Sequence, residues 1–191
     1  TSIGKLVFNE CGSLTSITVD ANNVKYASDE RGALFDKDKT ILLKYPTANT
    51  TTSYAIPEGV TTIEDCAFYD CKSLESVTLP KGVTSIGQFA FLNCNSLVSV
   101  IIPEGVTSIK DRTFSGCNSL ASVTIPESVT YIGVNAFSSC GSLVSVNIPK
   151  GVTGIDTFAF YGCDSLASVT IPDTVTSVGN FAFSCCDNLK S

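Results

Sequence analysis

The run Glu104-Gly-Val-Thr-Ser-Ile-Lys-Asp-Arg-Thr-Phe-Ser-Gly-Cys-Asn-Ser-Leu-Ala-Ser-Val-Thr-Ile-Pro126 is 23 residues long, and the chain repeats it. Proline recurs at 57, 80, 103, 126, 149 and 172, cysteine at 71, 94, 117, 140, 163 and 186, and phenylalanine at 68, 91, 114, 137, 160 and 183. Three residue types locked to one period define a solenoid. Within the unit, Val123 and Ile125 alternate with Ser122 and Thr124, the period of a half-buried strand. Pro126 ends that strand, because it has no N–H for a ladder. Val106 and Ile109 supply a second inward pair, and Thr113-Phe114 makes a short turn that inserts a ring. One coil cannot bury enough apolar surface to fold alone, so the units must stack.

Six units run over 56–191, the last incomplete, and a partial unit at 1–20 aligns without gaps to Thr84-Ser-Ile-Gly through Ile102-Pro103. Between them, 21–55 differs. Ala33-Leu-Phe-Asp-Lys-Asp-Lys-Thr-Ile-Leu-Leu-Lys-Tyr-Pro46 reads as two apolar strands around a charged turn, a β-hairpin. It is expected to form an irregular coil inside a single solenoid. Asn49-Thr-Thr51 is a formal N-glycosylation sequon, meaningful only in a secretory host. Neither end carries a polar cap, so the chain is expected to be a segment of a longer array, with ends able to stack on further copies.

Composition narrows the function. The 191 residues carry a net charge of −6, and 56–191 holds six basic against twelve acidic residues. That balance opposes a nucleic-acid binder. No apolar run reaches the length of a membrane span, so no membrane insertion by this segment is expected. There is no histidine, which removes His-based triads and most catalytic zinc sites. Neither a nucleophile elbow, nor a P-loop, nor a dinucleotide fingerprint occurs. Carboxylates at Glu58, Glu104, Glu127 and Asp173 share one repeat position, broken by Lys81 and Lys150. Single-file acids suit a solvated edge rather than calcium or an opposed catalytic pair. Neither enzyme activity nor a cofactor or metal is expected.

Nine cysteines admit metal, redox or disulfide readings. Equivalent positions on neighbouring coils lie ~4.8 Å apart with parallel Cβ directions. A disulfide wants Cβ atoms about 3.8 Å apart, and zinc wants convergent rather than collinear ligands. Cys71, Cys94, Cys117, Cys140, Cys163 and Cys186 are therefore expected to form a reduced structural ladder, with Cys11 as a further member. Cys66 replaces a phenylalanine of other units and is expected to fill a partly buried site. Cys185 points outward and is the candidate reactive thiol.

The motif Ala90-Phe91-x-x-Cys94-x-x-Leu97-x-x-Val100-x-Ile102-Pro103-x-x-Val106-x-x-Ile109 recurs at Ala136–Ile155 and Ala159–Val178. It resembles the BspA-type leucine-rich-repeat family, and Gly32-Ala-Leu-Phe with Leu43-Lys-Tyr-Pro46 resembles that family's hairpin-bearing variant repeat. Thr113 departs from it, replacing alanine before Phe114. The resemblance implies a mainly β, right-handed leucine-rich-repeat solenoid of about seven coils, with parallel β-ladders, short turns and one irregular coil. It also implies an exported or surface-anchored protein that binds host or other-cell proteins, without supplying a shared binding motif.

The outward strand positions are then the candidate binding face: Ser76, Thr78, Ser99, Ile101, Ser122, Thr124, Ser145, Asn147, Ser168 and Thr170, with Ser16 and Thr18 in the partial unit. Beside them runs Glu75, Val98, Ala121, Val144 and Ala167. Extended repeat sheets of this kind bind proteins. The expected partners are extracellular-matrix, plasma or other cell-surface proteins. The alternative is a stiff spacer displaying another domain.

Overall fold

A computed structural model describes residues 3, 4 and 6–191. Its strands, in chain order, are β1 (Tyr26–Ser28), β2 (Leu34–Asp36), β3 (Ile41–Lys44), β4 (Ser53–Ala55), β5 (Thr62–Ile63), β6 (Ser76–Thr78), β7 (Ser85–Ile86) and β8 (Ser99–Ile101). They continue as β9 (Ser108–Ile109), β10 (Ser122–Thr124), β11 (Tyr131–Ile132), β12 (Ser145–Asn147), β13 (Gly154–Ile155), β14 (Ser168–Thr170) and β15 (Ser177–Val178). No helix occurs among the described residues.

Each regular coil contributes one three-residue strand and one two-residue strand, and neighbouring coils pair in parallel at a 23-residue offset. The longer strands form a six-stranded sheet in the order β14-β12-β10-β8-β6-β4. The two-residue strands form a second ladder in two parts, β5-β7, which continues from the variant coil's β1-β2-β3, and β15-β13-β11-β9. This second ladder was not legible as strands, because Val106 and Ile109 are three residues apart and leave no alternation to read. The third side of the coil is a turn bracketed by two left-handed residues four apart. They are Cys66/Asp70, Phe89/Asn93, Arg112/Gly116, Asn135/Ser139, Phe158/Gly162 and Phe181/Cys185.

One core runs the length of the stack. Phe68, Phe91, Phe114, Phe137 and Phe160 are fully buried, and successive rings stack face to face at 4.8–5.4 Å. Tyr45 extends the column at one end and Phe183 at the other. Such stacked aromatic pairs contribute beyond simple burial.

The hairpin of β2 and β3 is antiparallel, and β3 then pairs in parallel with β5, which carries the ladder through the variant coil. Asp36 builds its turn: Oδ1 accepts from the N–H of Thr40 and Ile41 at 2.8 and 2.7 Å, and Oδ2 accepts from the Thr40 hydroxyl. Asp29 organises the preceding loop in the same way, accepting from the N–H of Arg31 and Ala33 and from the Tyr54 hydroxyl.

The N-terminal unit differs from the sequence expectation in two respects. Residues 16–18 form no strand: Ile17 donates to Gly32 O at 2.9 Å, but the segment opposite is a turn. Gly32 has φ +76°, and a Cβ there would lie 2.6 Å from Ser16 Cβ, so glycine is required at this contact. Cys11 is exposed rather than a buried ladder member: among the described residues its thiol has no carbonyl contact of the kind that covers the others. Thr1 and Ser2, part of the expected alignment to Thr84-Ser85, lie outside the described residues.

A candidate binding face backed by a thiol ladder

The parallel register decides the outward face. Ser53 pairs with Ser76, Ser99 with Ser122, and Ser145 with Ser168, while Thr78 follows Ala55, Thr124 follows Ile101, and Thr170 follows Asn147. A 23-residue offset thus converts one repeat position into one row. Ser76, Thr78, Ser99, Ile101, Ser122, Thr124, Ser145, Asn147, Ser168 and Thr170 are all exposed on one sheet. The neighbouring row is held by its own rungs: Val98 donates to Glu75 O, Ala121 to Val98 O, Val144 to Ala121 O, and Ala167 to Val144 O, at 2.9–3.3 Å. Glu75 is the one charge in these three rows between residues 75 and 170.

Within this hydroxyl-rich surface three aliphatic side chains stand out. Ile101 is 71% exposed, Val144 54% and Val98 48%. Their equivalents elsewhere are threonine, asparagine, alanine, glutamate or lysine, so the repeat fold does not need them. All three are on the outward side of the sheet, in rows that otherwise carry small or polar side chains and the one charge of Glu75.

Behind the sheet lies the thiol ladder. Sγ of Cys94 donates to Phe68 O at 3.0 Å, and Cys117, Cys140, Cys163 and Cys186 each make the same contact, at 3.2 Å, with the phenylalanine carbonyl 26 residues earlier. Cys71 lies 4.0 Å from Tyr45 O, the weakest member. Burial pushes the Cys71 and Cys163 thiols up to about 12, and those of Cys94, Cys117 and Cys140 well above the ordinary range. Such thiols are poor nucleophiles. All nine cysteines are free, and no cluster of three or more potential metal ligands exists among the described residues. Cys66 is buried, Cys186 half-buried, and Cys185 exposed.

The acidic row is exposed at Glu58, Glu104, Glu127 and Asp173, with Lys150 donating its backbone N–H to Glu127 Oε2. Asn49 Nδ2 donates to Arg31 O at 2.9 Å and to Thr15 O at 3.4 Å, so the sequon amide ties the N-terminal unit to the variant coil.

Two features escaped the sequence reading. Lys44 is buried at 4% exposure, its ammonium donating to Cys66 O at 3.2 Å and Tyr69 O at 3.5 Å. Desolvation lowers its pKa. Its place in an apolar strand, Ile41-Leu-Leu-Lys44, was the available signal. The second is a threonine row, where Thr61, Thr84, Thr130, Thr153 and Thr176 each donate both N–H and hydroxyl to the threonine carbonyl of the preceding coil.

The fold and face define a leucine-rich-repeat solenoid. The profile of the BspA type leucine rich repeat region matches residues 45–164 and 135–191, in six copies. The chain belongs to that family. Among solved structures it is similar to a leucine-rich repeat protein from Eubacterium ventriosum, at 27% identity and TM-score 0.77, over 100% of this chain and 57% of that one. It is also similar to a leucine rich cell surface protein from Faecalibacterium prausnitzii, at 32% identity and TM-score 0.66, over 98% of this chain and 43% of that one. A third is the pneumococcal vaccine antigen PcpA, at 26% identity and TM-score 0.76, over 86% of this chain and 45% of that one. The chain thus spans about half the length of these relatives. No curated protein matches it.

Proposed function

We propose that the chain is a non-enzymatic protein-binding module of a cell-surface or secreted protein, recognising host or neighbouring-cell proteins through the outward rows of the six-stranded sheet. The observation that carries the reading is the group Val98, Ile101 and Val144, exposed on a sheet face otherwise built of small polar side chains. Aliphatic groups in that position have no role in the core and lose water only when a partner covers them. The similarity to a leucine rich cell surface protein and to a vaccine antigen supports the same setting.

A spacer role is the second reading, favoured by the column of stacked rings that runs from Tyr45 to Phe183. The two readings separate on substitution of Ile101, Thr124 and Asn147 by glutamate. All three are exposed, so the fold tolerates the change. A binding module loses its partner, whereas a spacer is unaffected.

A further inference from the structure

Three hydrogen bonds recur at each step of the second ladder, and one step lacks all of them. At the other steps the threonine N–H and hydroxyl both reach the preceding threonine carbonyl, and the residue after the strand donates to the preceding strand's last carbonyl. Gly87 N–H to Ile63 O and Gly133 N–H to Ile109 O, both 2.8 Å, show the pattern. Between β7 and β9 there is no such pairing: the N–H and hydroxyl of Thr107 do not bond Thr84 O, and the N–H of Lys110 does not bond Ile86 O. On the long-strand sheet the same step keeps one paired position, Ser76 with Ser99, as the step from β10 to β12 also does with Ser122 and Ser145, where β4 and β6 keep three. The turn side stays closed: Phe91 donates to Thr113 O at 2.8 Å, Asn93 to Ser115 O at 2.9 Å, and the Phe91 and Phe114 rings stack at 5.2 Å.

Thr113 supplies the cause. Its position is alanine at 67, 90, 136, 159 and 182. The threonine side chain is fully buried, and its hydroxyl lies 2.8 Å from Lys110 O and 3.3 Å from Gly87 O, between the two backbones whose rung is missing. A β-branched side chain with two extra heavy atoms occupies space that the other coils close. Side-chain bonds bridge the open step in place of the rungs: the Thr113 hydroxyl to Gly87 O at 3.3 Å, Lys110 Nζ to Ser85 Oγ at 3.2 Å, and Gln88 Nε2 to Asp111 Oδ2 at 3.4 Å.

We propose that Thr113 makes this step a hinge, with the turn rungs and the Phe91–Phe114 contact as its axis and the open ladder as its moving side. Hinges of this kind form where few bonds must break for two rigid bodies to rotate. Motion here changes the spacing of the Ser76 and Ser99 rows, and so the shape of the sheet face beside Val98 and Ile101.

Amide hydrogen exchange resolved by NMR, on this chain and on Thr113→Ala, tests it. The amides of Thr107 and Lys110 should exchange about tenfold or more faster than those of Thr84, Gly87, Thr130 and Gly133, and Thr113→Ala should bring them to their neighbours' rates. Spin labels on the exposed Cys11 and Cys185, on opposite sides of the step, should give a narrower distance distribution in Thr113→Ala. Equal protection in the unmodified chain, or exchange or a distance distribution that Thr113→Ala leaves unchanged, overturns the hinge.

Discussion

Sγ of Cys117 sits 3.2 Å from the carbonyl oxygen of Phe91, so the residue that ends one turn is anchored to the ring-bearing residue of the coil before it. The bond ties the thiol ladder to the aromatic column, and it explains why cysteine and phenylalanine share one period. Cys117→Ala removes one of the two donors to Phe91 O, which keeps the Cys94 N–H at 3.2 Å, and leaves a void where the thiol sat. A loss of about 1–2 kcal/mol follows, read as a lower urea midpoint.

Thiol chemistry should divide the cysteines by position rather than by number. In the folded chain Cys11 and Cys185 are exposed and should react with a thiol reagent within the mixing time. Cys94, Cys117, Cys140 and Cys163, fully buried, should react only after denaturation. Peptide mapping of the labelled sites reads the result, and prompt labelling of Cys117 would contradict the ladder.

Ser139 holds φ +59° where Gly116 and Gly162 hold the equivalent position in neighbouring coils. A Cβ in the left-handed region costs roughly 1 kcal/mol, so Ser139→Gly should raise stability by up to about that amount. The reverse change, Gly116→Ala, should lower it, because the new Cβ would lie 2.5 Å from Asn93 Oδ1. Thermal midpoints of the two variants should move in opposite directions.

Lys44 gives stability a pH dependence of known sign. Its folded pKa is held below the ordinary 10.5, chiefly by desolvation. Between the lowered value and 10.5 the unfolded chain binds more protons, so stability rises with pH through that window. Measured against Lys44→Met, which removes the titration, the unmodified chain should gain in denaturation midpoint as pH climbs from neutrality towards 10.5. A constant difference between the two would show that the amine is not desolvated.

How far the sequence carries the account depends on the length scale of each feature. Proline, cysteine and phenylalanine repeating every 23 residues reveal the stack, and Ser-Val-Thr alternation reveals the long-strand sheet, because both are periodic signals. The left-handed turn residues are hidden, since Phe89, Arg112, Asn135, Phe158 and Phe181 share a backbone conformation without sharing chemistry. The exposure of Cys11 is hidden for a different reason: a motif match reports the position within a coil, whereas burial depends on what packs against that position. Ile101 and Asn147 are visible as departures from threonine, and the row of Val98 and Val144 beside them is visible from the same period, whereas how far each side chain is exposed needed the packed structure.

The direct test of the binding face is to immobilise the chain and challenge it with a panel of extracellular-matrix and plasma proteins, beside a triple variant carrying Ile101→Glu, Thr124→Glu and Asn147→Glu. The account predicts saturable binding to at least one of them, abolished in a variant whose circular dichroism and denaturation midpoint match the unmodified chain. Binding that survives the three substitutions, or no binding by the intact chain, would contradict it.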